Sequence, residues 1–153
     1  MSNIRNASND DRTKIINLII DMIGDKNPEK VAKQVVNDLF ENNKFKTLVI
    51  LEQNIVAGFS VLKRDSFEGA NRVAEIVWLA IDKKFRRIGL GNKLVDYIEE
   101  YAKREDIRKL YVKTSPNNKS AVCFWIMMDY QFEARMLDFS LNNLDDYYFG
   151  KKL

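Results

Sequence analysis

The sequence predicts one mixed α/β (α+β) domain with the element order β-αα-βββ-α-β-α-ββ. Three observations carry this reading. Apolar residues recur at helical spacing in separate segments. β-Branched and aromatic runs of strand length lie between them. Strands outnumber helices along the chain. A length of 153 residues suits a single core, so one domain is expected over residues 1–153.

The elements follow in order. A short strand is expected near Ile4, and Asp10 or Asp11 can cap the helix behind it. Ile15, Ile16, Ile19, Ile20 and Ile23 repeat at helical spacing, with Gly24 as the stop. Asn27-Pro28 reads as N-cap and first turn of a second helix, whose stripe is Val31, Val35, Leu39 and Phe40. Phe45–Leu51 and Ile55–Leu62 flank the turn Glu52-Gln53-Asn54 as a hairpin. Val73–Ile81 is apolar on both faces, the mark of a central buried strand. Leu90, Leu94, Val95, Ile98, Tyr101 and Ala102 define an amphipathic helix. Leu110–Val112 is a short strand. Asn118 or Ser120 starts a last helix, and Phe132–Leu141 and Tyr147–Lys151 close the chain as strands.

Composition excludes much chemistry. There is no His and one Cys, so no Ser-His-Asp or Cys-His arrangement and no Cys/His zinc site can be built within the chain. Acid–base work falls to a carboxylate, Tyr, Lys, the lone Cys or water. A net charge of +3 suits small anionic ligands and is weak support for nucleic acid, which usually asks for a clustered patch. One Cys forms no intrachain disulfide, Met1–Asn6 lacks an apolar signal core, and no apolar run can span a bilayer. A soluble cytoplasmic protein without membrane or nucleic-acid partners is expected.

The segment that carries chemistry is Val73–Leu94: strand, basic glycine loop, helix. A helix N-terminus offers unpaired N–H groups and partial positive charge. Gly89 and Gly91 keep side chains away from the backbone, and Lys83, Lys84, Arg86 and Arg87 surround the mouth with positive charge. A diphosphate is the natural guest. A dinucleotide fingerprint would need a third small residue where Leu94 stands and an acid where Lys113 and Thr114 stand. A P-loop would need Gly-Lys-Ser/Thr, and here Gly91 is followed by Asn92 and Lys93.

Arg86-Arg87-Ile88-Gly89-Leu90-Gly91 matches the Gln/Arg-x-x-Gly-x-Gly/Ala loop of the GNAT superfamily, the acyl-CoA-dependent N-acyltransferases. Asn118-Lys119-Ser120-Ala121-Val122-Cys123-Phe124-Trp125 resembles that family's Asn-x-x-Ala-x-x-Phe/Leu-Tyr helix, and the element order resembles it over essentially the whole chain. The resemblance implies a strongly twisted central sheet flanked by about four helices. It implies acetyl-CoA as cosubstrate and no metal. It implies pyrophosphate binding by main-chain amides of Arg87, Ile88, Gly89, Leu90, Gly91 and Asn92, with Arg86 at the loop entrance. The pantetheine arm would lie along Leu79, Ala80 and Ile81, and Asn118 with its helix would line the other side of the CoA.

Glu75 is the acid the sequence singles out. Alternation puts it on a face with Val73, Val77, Leu79 and Ile81, and a carboxylate in an apolar row must be paired or protonated. Partial burial would raise its pKa and suit a general base. The stretch Ala74–Val77 also resembles the strand of the histone-acetyltransferase branch that carries a glutamate base. The competing reading is a structural ion pair or a solvent-facing position.

Trp125 stands where many relatives place a Tyr that protonates the departing thiolate. Indole cannot do this, so packing or cofactor contact is expected of Trp125. Tyr130 or Tyr111 could substitute, or the thiolate could leave unaided. Cys123, inside an apolar helix, reads as an inert core thiol. Tyr147, Tyr148 and Phe149 read as core, with an acceptor pocket or interface as the other option. Asp25 reads as a solvated loop charge. The expected activity is acetyl transfer to a primary amine by direct attack in a ternary complex. Its rival is a silent acyl-CoA sensor on the same fold. Small-molecule, peptide and protein amines all remain as acceptors, and a homodimer stays open.

Overall fold

The computed structural model describes residues 3–24 and 26–153. The elements are β1 (Asn3–Asn6), α1 (Arg12–Ile20), α2 (Pro28–Glu41), β2 (Phe45–Glu52), β3 (Ile55–Arg64), β4 (Val73–Ile81), α3 (Leu90–Arg104), β5 (Lys109–Thr114), α4 (Lys119–Met127), β6 (Gln131–Leu141) and β7 (Leu144–Lys152). This is the expected order, with 3₁₀ turns added at Asn9–Asp11 and Lys83–Phe85. The strand order is β1-β2-β3-β4-β5-β7-β6. Pairing is antiparallel in β1–β2, β2–β3, β5–β7 and β6–β7, and parallel in β4–β5. Among the described residues no helix is long and apolar enough to cross a membrane.

The chain divides into two compact units, Met1–Arg64 with Trp78–Ile98 and Asp65–Val77 with Glu99–Leu153. In the first unit, α1 buries Ile15, Leu18 and Ile19. The stripe is therefore the i, i+3, i+4 set and not the all-isoleucine row expected, because a nine-residue helix presents one narrow face. Asp11 does not cap α1 through its side chain. It closes the preceding 3₁₀ turn by accepting the Ser8 amide at 2.7 Å. Asn27 caps α2 as predicted, its Oδ1 accepting the Lys30 amide at 3.4 Å. The buried face of α2 is Ala32, Val36 and Leu39. The β2–β3 hairpin turns through Gln53 and Asn54, both at positive φ, the conformation a tight hairpin requires.

In the second unit, β5 and β7 pair from Lys109↔Lys152 to Thr114↔Tyr147, burying Leu110, Val112 and Phe149. Glu99 on α3 receives Lys151 on both carboxylate oxygens at 3.0 Å, and the same ammonium donates to the Met128 carbonyl at 3.1 Å. α4 buries Trp125, while Met127 is 80% exposed. Cys123 is exposed, which corrects the core-thiol expectation. A helix apolar on all sides does not reveal which side packs, and this one packs on the Trp125 side. β6 is an edge strand exposed along nearly its whole length, with Phe132, Leu137, Phe139 and Leu141 facing solvent and two register irregularities against β7.

Candidate active site

The loop after β4 is built from the strand end outward. The Asp82 amide donates to the Ala57 carbonyl at 2.8 Å, anchoring the end of β4 on β3. The Asp82 carboxylate caps the 3₁₀ turn by accepting the Lys84 amide at 3.0 Å, and it pairs with Lys14. The Lys14 hydrogen bond, helped by the Lys84 amide, holds the Asp82 carboxyl below its ordinary range. Arg86 then donates its Nε to the Ile81 carbonyl at 3.0 Å and latches the loop back onto β4. Arg87 (φ 64°) and Gly89 (φ 82°) both take left-handed backbone, a pattern that turns successive N–H groups toward one side.

The first hydrogen bond of α3 runs from the Lys93 amide to the Gly89 carbonyl at 3.1 Å. The N–H groups of Leu90, Gly91 and Asn92 therefore precede the helical ladder and have no partner within it. The Leu90 side chain is buried and pins this end of α3 to the core, so only its amide is available. Arg86, Arg87, Ile88 and Gly89 are exposed. The result is a row of unladdered amides at a helix N-terminus, preceded along the chain by the exposed Arg86 and Arg87.

β4 supplies the neighbouring strand end. Leu79 and Ile81 are half-buried and Ala80 is buried. Gly58 on β3 permits this packing, since a Cβ there would meet the Ala80 carbonyl oxygen and Ile81 Cδ1 at 2.5 Å each. The buried Ser60 hydroxyl donates to the Trp78 carbonyl at 2.7 Å. The sequence reading passed over Gly58, although a lone Gly inside a strand is a signal for close backbone approach.

Glu75 lies in the second unit, where its side chain is 7% exposed. Its strand face is only half-closed: Val73 and Val77 are intermediate, while Ala74 and Ile76 on the other face are buried. The Tyr111 hydroxyl donates to Glu75 Oε2 at 3.1 Å, and Lys113 Nζ lies 3.3 Å from Oε1. Tyr148 stacks on Tyr111 at 6.2 Å between centroids. Burial, with the Glu75 carboxylate beside it, pushes the Tyr111 phenol up to about 12. Burial also raises Tyr148, with Lys113 opposing and the Asp146 and Glu75 carboxylates adding. The β4–β5 register runs Val73↔Lys109, Ala74↔Leu110, Glu75↔Tyr111, so Glu75 is its last β4 residue. Lys113 was not singled out as a partner, because only this register brings it to Glu75.

Other expectations are corrected or refined. Trp125 is 5% exposed and packs edge-on against Phe124 at 5.1 Å and Tyr130 at 5.0 Å, so it is a core residue with little surface for a cofactor. Asn118 spends its side-chain oxygen on capping α4, accepting the Ala121 amide at 3.1 Å. Tyr130, the other candidate acid, is 2% exposed, and burial with Glu99 nearby holds its proton far more tightly than in water, which argues against that role. The C-terminal aromatics split, with Phe149 in the core and Tyr148 on the Glu75 side. Asp25 lies outside the described residues. Among the described residues no group of three His, Cys, Asp or Glu is placed to hold a metal ion.

Residues 13–129 match the sequence model described as the acetyltransferase (GNAT) family. The chain belongs to that family. Comparison with curated proteins gave no match. Solved structures share the fold at low identity. Ribosomal-protein-alanine N-acetyltransferase from Brucella melitensis superposes with TM-score 0.80 at 18% identity, covering 99% of both chains. A subunit of the NatC complex bound to Gag peptide and CoA superposes with TM-score 0.79 at 21% identity, covering 99% of this chain and 98% of that one. A Bacillus anthracis protein solved with acetyl coenzyme A superposes with TM-score 0.67 at 22% identity, covering 76% and 67%.

Proposed function

We propose that this chain transfers an acetyl group from acetyl-CoA to a primary amine by direct attack in a ternary complex, as a single catalytic domain. The observation that carries the reading is the Arg86–Asn92 loop, whose exposed turn opens onto the unladdered amides of α3. Bound acetyl-CoA would supply the acyl group already activated as a thioester. The amides of Leu90, Gly91 and Asn92 and the dipole of α3 hold the pyrophosphate, and Arg87, Lys83 and Lys84 complement its charge. Leu79, Ala80 and Ile81 orient the pantetheine arm through backbone groups, and a β4 amide polarises the thioester oxygen.

Glu75 sits four residues before Leu79 on the same strand and accepts the proton that the acceptor's ammonium must lose before its nitrogen can attack. The N–C bond forms, the C–S bond breaks, the electron pair leaves on the CoA sulfur, and the second proton shed by the acylated nitrogen passes to that thiolate or to solvent. No side chain is assigned to protonate that sulfur: Trp125 has no usable acid, Tyr130 is buried, and Tyr111 holds its proton tightly. The thiolate is a good enough leaving group to depart unaided. The acceptor is an amine on a small molecule, peptide or protein, and the lone Cys supports a cytoplasmic setting.

The test is CoA release from acetyl-CoA over an amine panel that includes peptides and polyamines, with Glu75→Gln beside the wild type. Turnover on at least one amine is expected, with a loss of about 10²–10⁴-fold in Glu75→Gln and unchanged CoA affinity. The second reading, a silent acyl-CoA sensor, draws on the pairing of Glu75 with Lys113 and Tyr111. CoA binding without turnover on any amine would establish it.

A further inference from the structure

We propose that Lys113 is the positioning residue of Glu75: its ammonium holds one carboxylate oxygen and the Tyr111 hydroxyl the other, and the acceptor's own ammonium displaces Lys113 to reach the base. The proposal deepens the acyltransferase reading and rests on it. The geometry is asymmetric in a telling way. Glu75 is 7% exposed, whereas Lys113 is 36% exposed on a flexible stem. One oxygen, Oε2, is held by a half-buried phenol; the other, Oε1, is held by a cation that can swing into water. In register Tyr111 faces Glu75, and the β4–β5 pairing ends there, so Lys113, two residues further along β5, reaches back to the last paired residue of β4.

The groups facing Glu75 in this unit are Lys113 and Tyr111 on β5 and Tyr148 on β7; its neighbours along its own strand face, Val73 and Val77, are apolar. Removing Lys113 without replacing its charge would leave a nearly buried carboxylate with a phenol as its remaining partner. That leaves a nearly buried charge underpaired, which is unfavourable. An arriving ammonium restores the pair. One cation replaces another, so the acceptor is a cationic amine, bounded by the stacked Tyr111 and Tyr148 rings. The proton then passes from the acceptor's nitrogen to Glu75 Oε1, leaving a neutral amine and a neutral carboxyl.

The experiment reads kcat and KM separately on the full chain, with the best amine of the panel, for the wild type, Lys113→Met and Lys113→Arg, each also in the Glu75→Gln background. Lys113→Met is expected to lower kcat by about tenfold, because Glu75 loses the partner that orients it. It is expected to lower KM for the amine as well, because the acceptor no longer has a cation to displace. Lys113→Arg is expected to keep both near the wild type. Lys113→Met in the Glu75→Gln background should change neither. Turnover by the wild type with kcat and KM unchanged in Lys113→Met, or with KM raised, overturns the proposal while leaving the acyltransferase reading intact. A kcat that falls in the Glu75→Gln background too also overturns it, because Lys113 then acts apart from Glu75. Absence of wild-type turnover on any amine overturns the acyltransferase reading and the proposal with it.

Discussion

Gly58 on β3 runs so close to Ala80 on β4 that a methyl group at Gly58 would lie 2.5 Å from the Ala80 carbonyl oxygen. The obstacle is backbone, so no side-chain rotation relieves it. Gly58→Ala must push away the end of β4, the stretch assigned to the pantetheine arm. Overpacking of this kind destabilises by about 1–3 kcal/mol. Thermal melting is expected to drop by several degrees, and CoA should restore less of it than in the wild type. A melting temperature equal to the wild type's would show that the strands separate freely at this point.

Gly89 presents the opposite case. A Cβ there meets nothing within 4 Å, so space is not the constraint; the φ of 82° is. An alanine held in left-handed backbone is disfavoured by about 1–2 kcal/mol. Gly89→Ala should therefore leave the core intact and weaken CoA binding by about tenfold, as the loop relaxes and the amides of Leu90 to Asn92 lose their alignment. Titration calorimetry with CoA measures this directly. Undiminished affinity would remove the loop from the proposed site.

These two glycines mark the limits of what the sequence reveals. Gly89 was legible because it stands in a local pattern, a strand, a basic loop and a helix read in one pass. Local periodicity likewise gave Val73–Ile81 to the residue and the apolar stripe of α3 from Leu90 onward. Gly58 and Lys113 matter through partners far along the chain, 22 and 38 residues away, and no local pattern announces a register. Cys123 was misread because a helix apolar on every side carries no phase. Glu75 was found as a buried acid, but its partners were not, since they arrive on β5.

Tyr130 offers a test of that distinction between burial and function. Its ring is enclosed by Trp125 at 5.0 Å and lies under the Lys151 ammonium at 5.6 Å, while its hydroxyl is buried beside the Glu99 carboxylate without reaching hydrogen-bond geometry to any described residue. Deleting a buried hydroxyl with no well-formed hydrogen bond removes a desolvation penalty. Tyr130→Phe is expected to be neutral or to stabilise by up to about 1 kcal/mol, with turnover unchanged. A large loss of kcat with KM held constant would instead make Tyr130 the acid that protonates the leaving sulfur.

The Arg5–Asp11 pair predicts how the first unit responds to acid. Asp11 is 4% exposed and receives Arg5 Nη1 at 2.7 Å and Nη2 at 2.9 Å, with the Ser8 amide at 2.7 Å. The Arg5 hydrogen bonds, then the Ser8 amide, hold its carboxyl below the ordinary 3.8 against the opposing effect of burial. A carboxyl lowered in the folded state stabilises the fold fully above its unfolded value, and the contribution is lost as pH falls through the lower folded value. Asp11→Asn should therefore lower stability at pH 7 by about 2 kcal/mol, the scale of a charge-assisted hydrogen bond. The gap between variant and wild type should hold from pH 7 to pH 5 and close as pH drops below 3.8, because the wild type then loses the same charge. Melting temperatures of both proteins at pH 7, 5 and 3 decide it. A gap that stays constant down to pH 3 would mean that shape at this turn, and not the charge on Asp11, holds β1 to the start of α1.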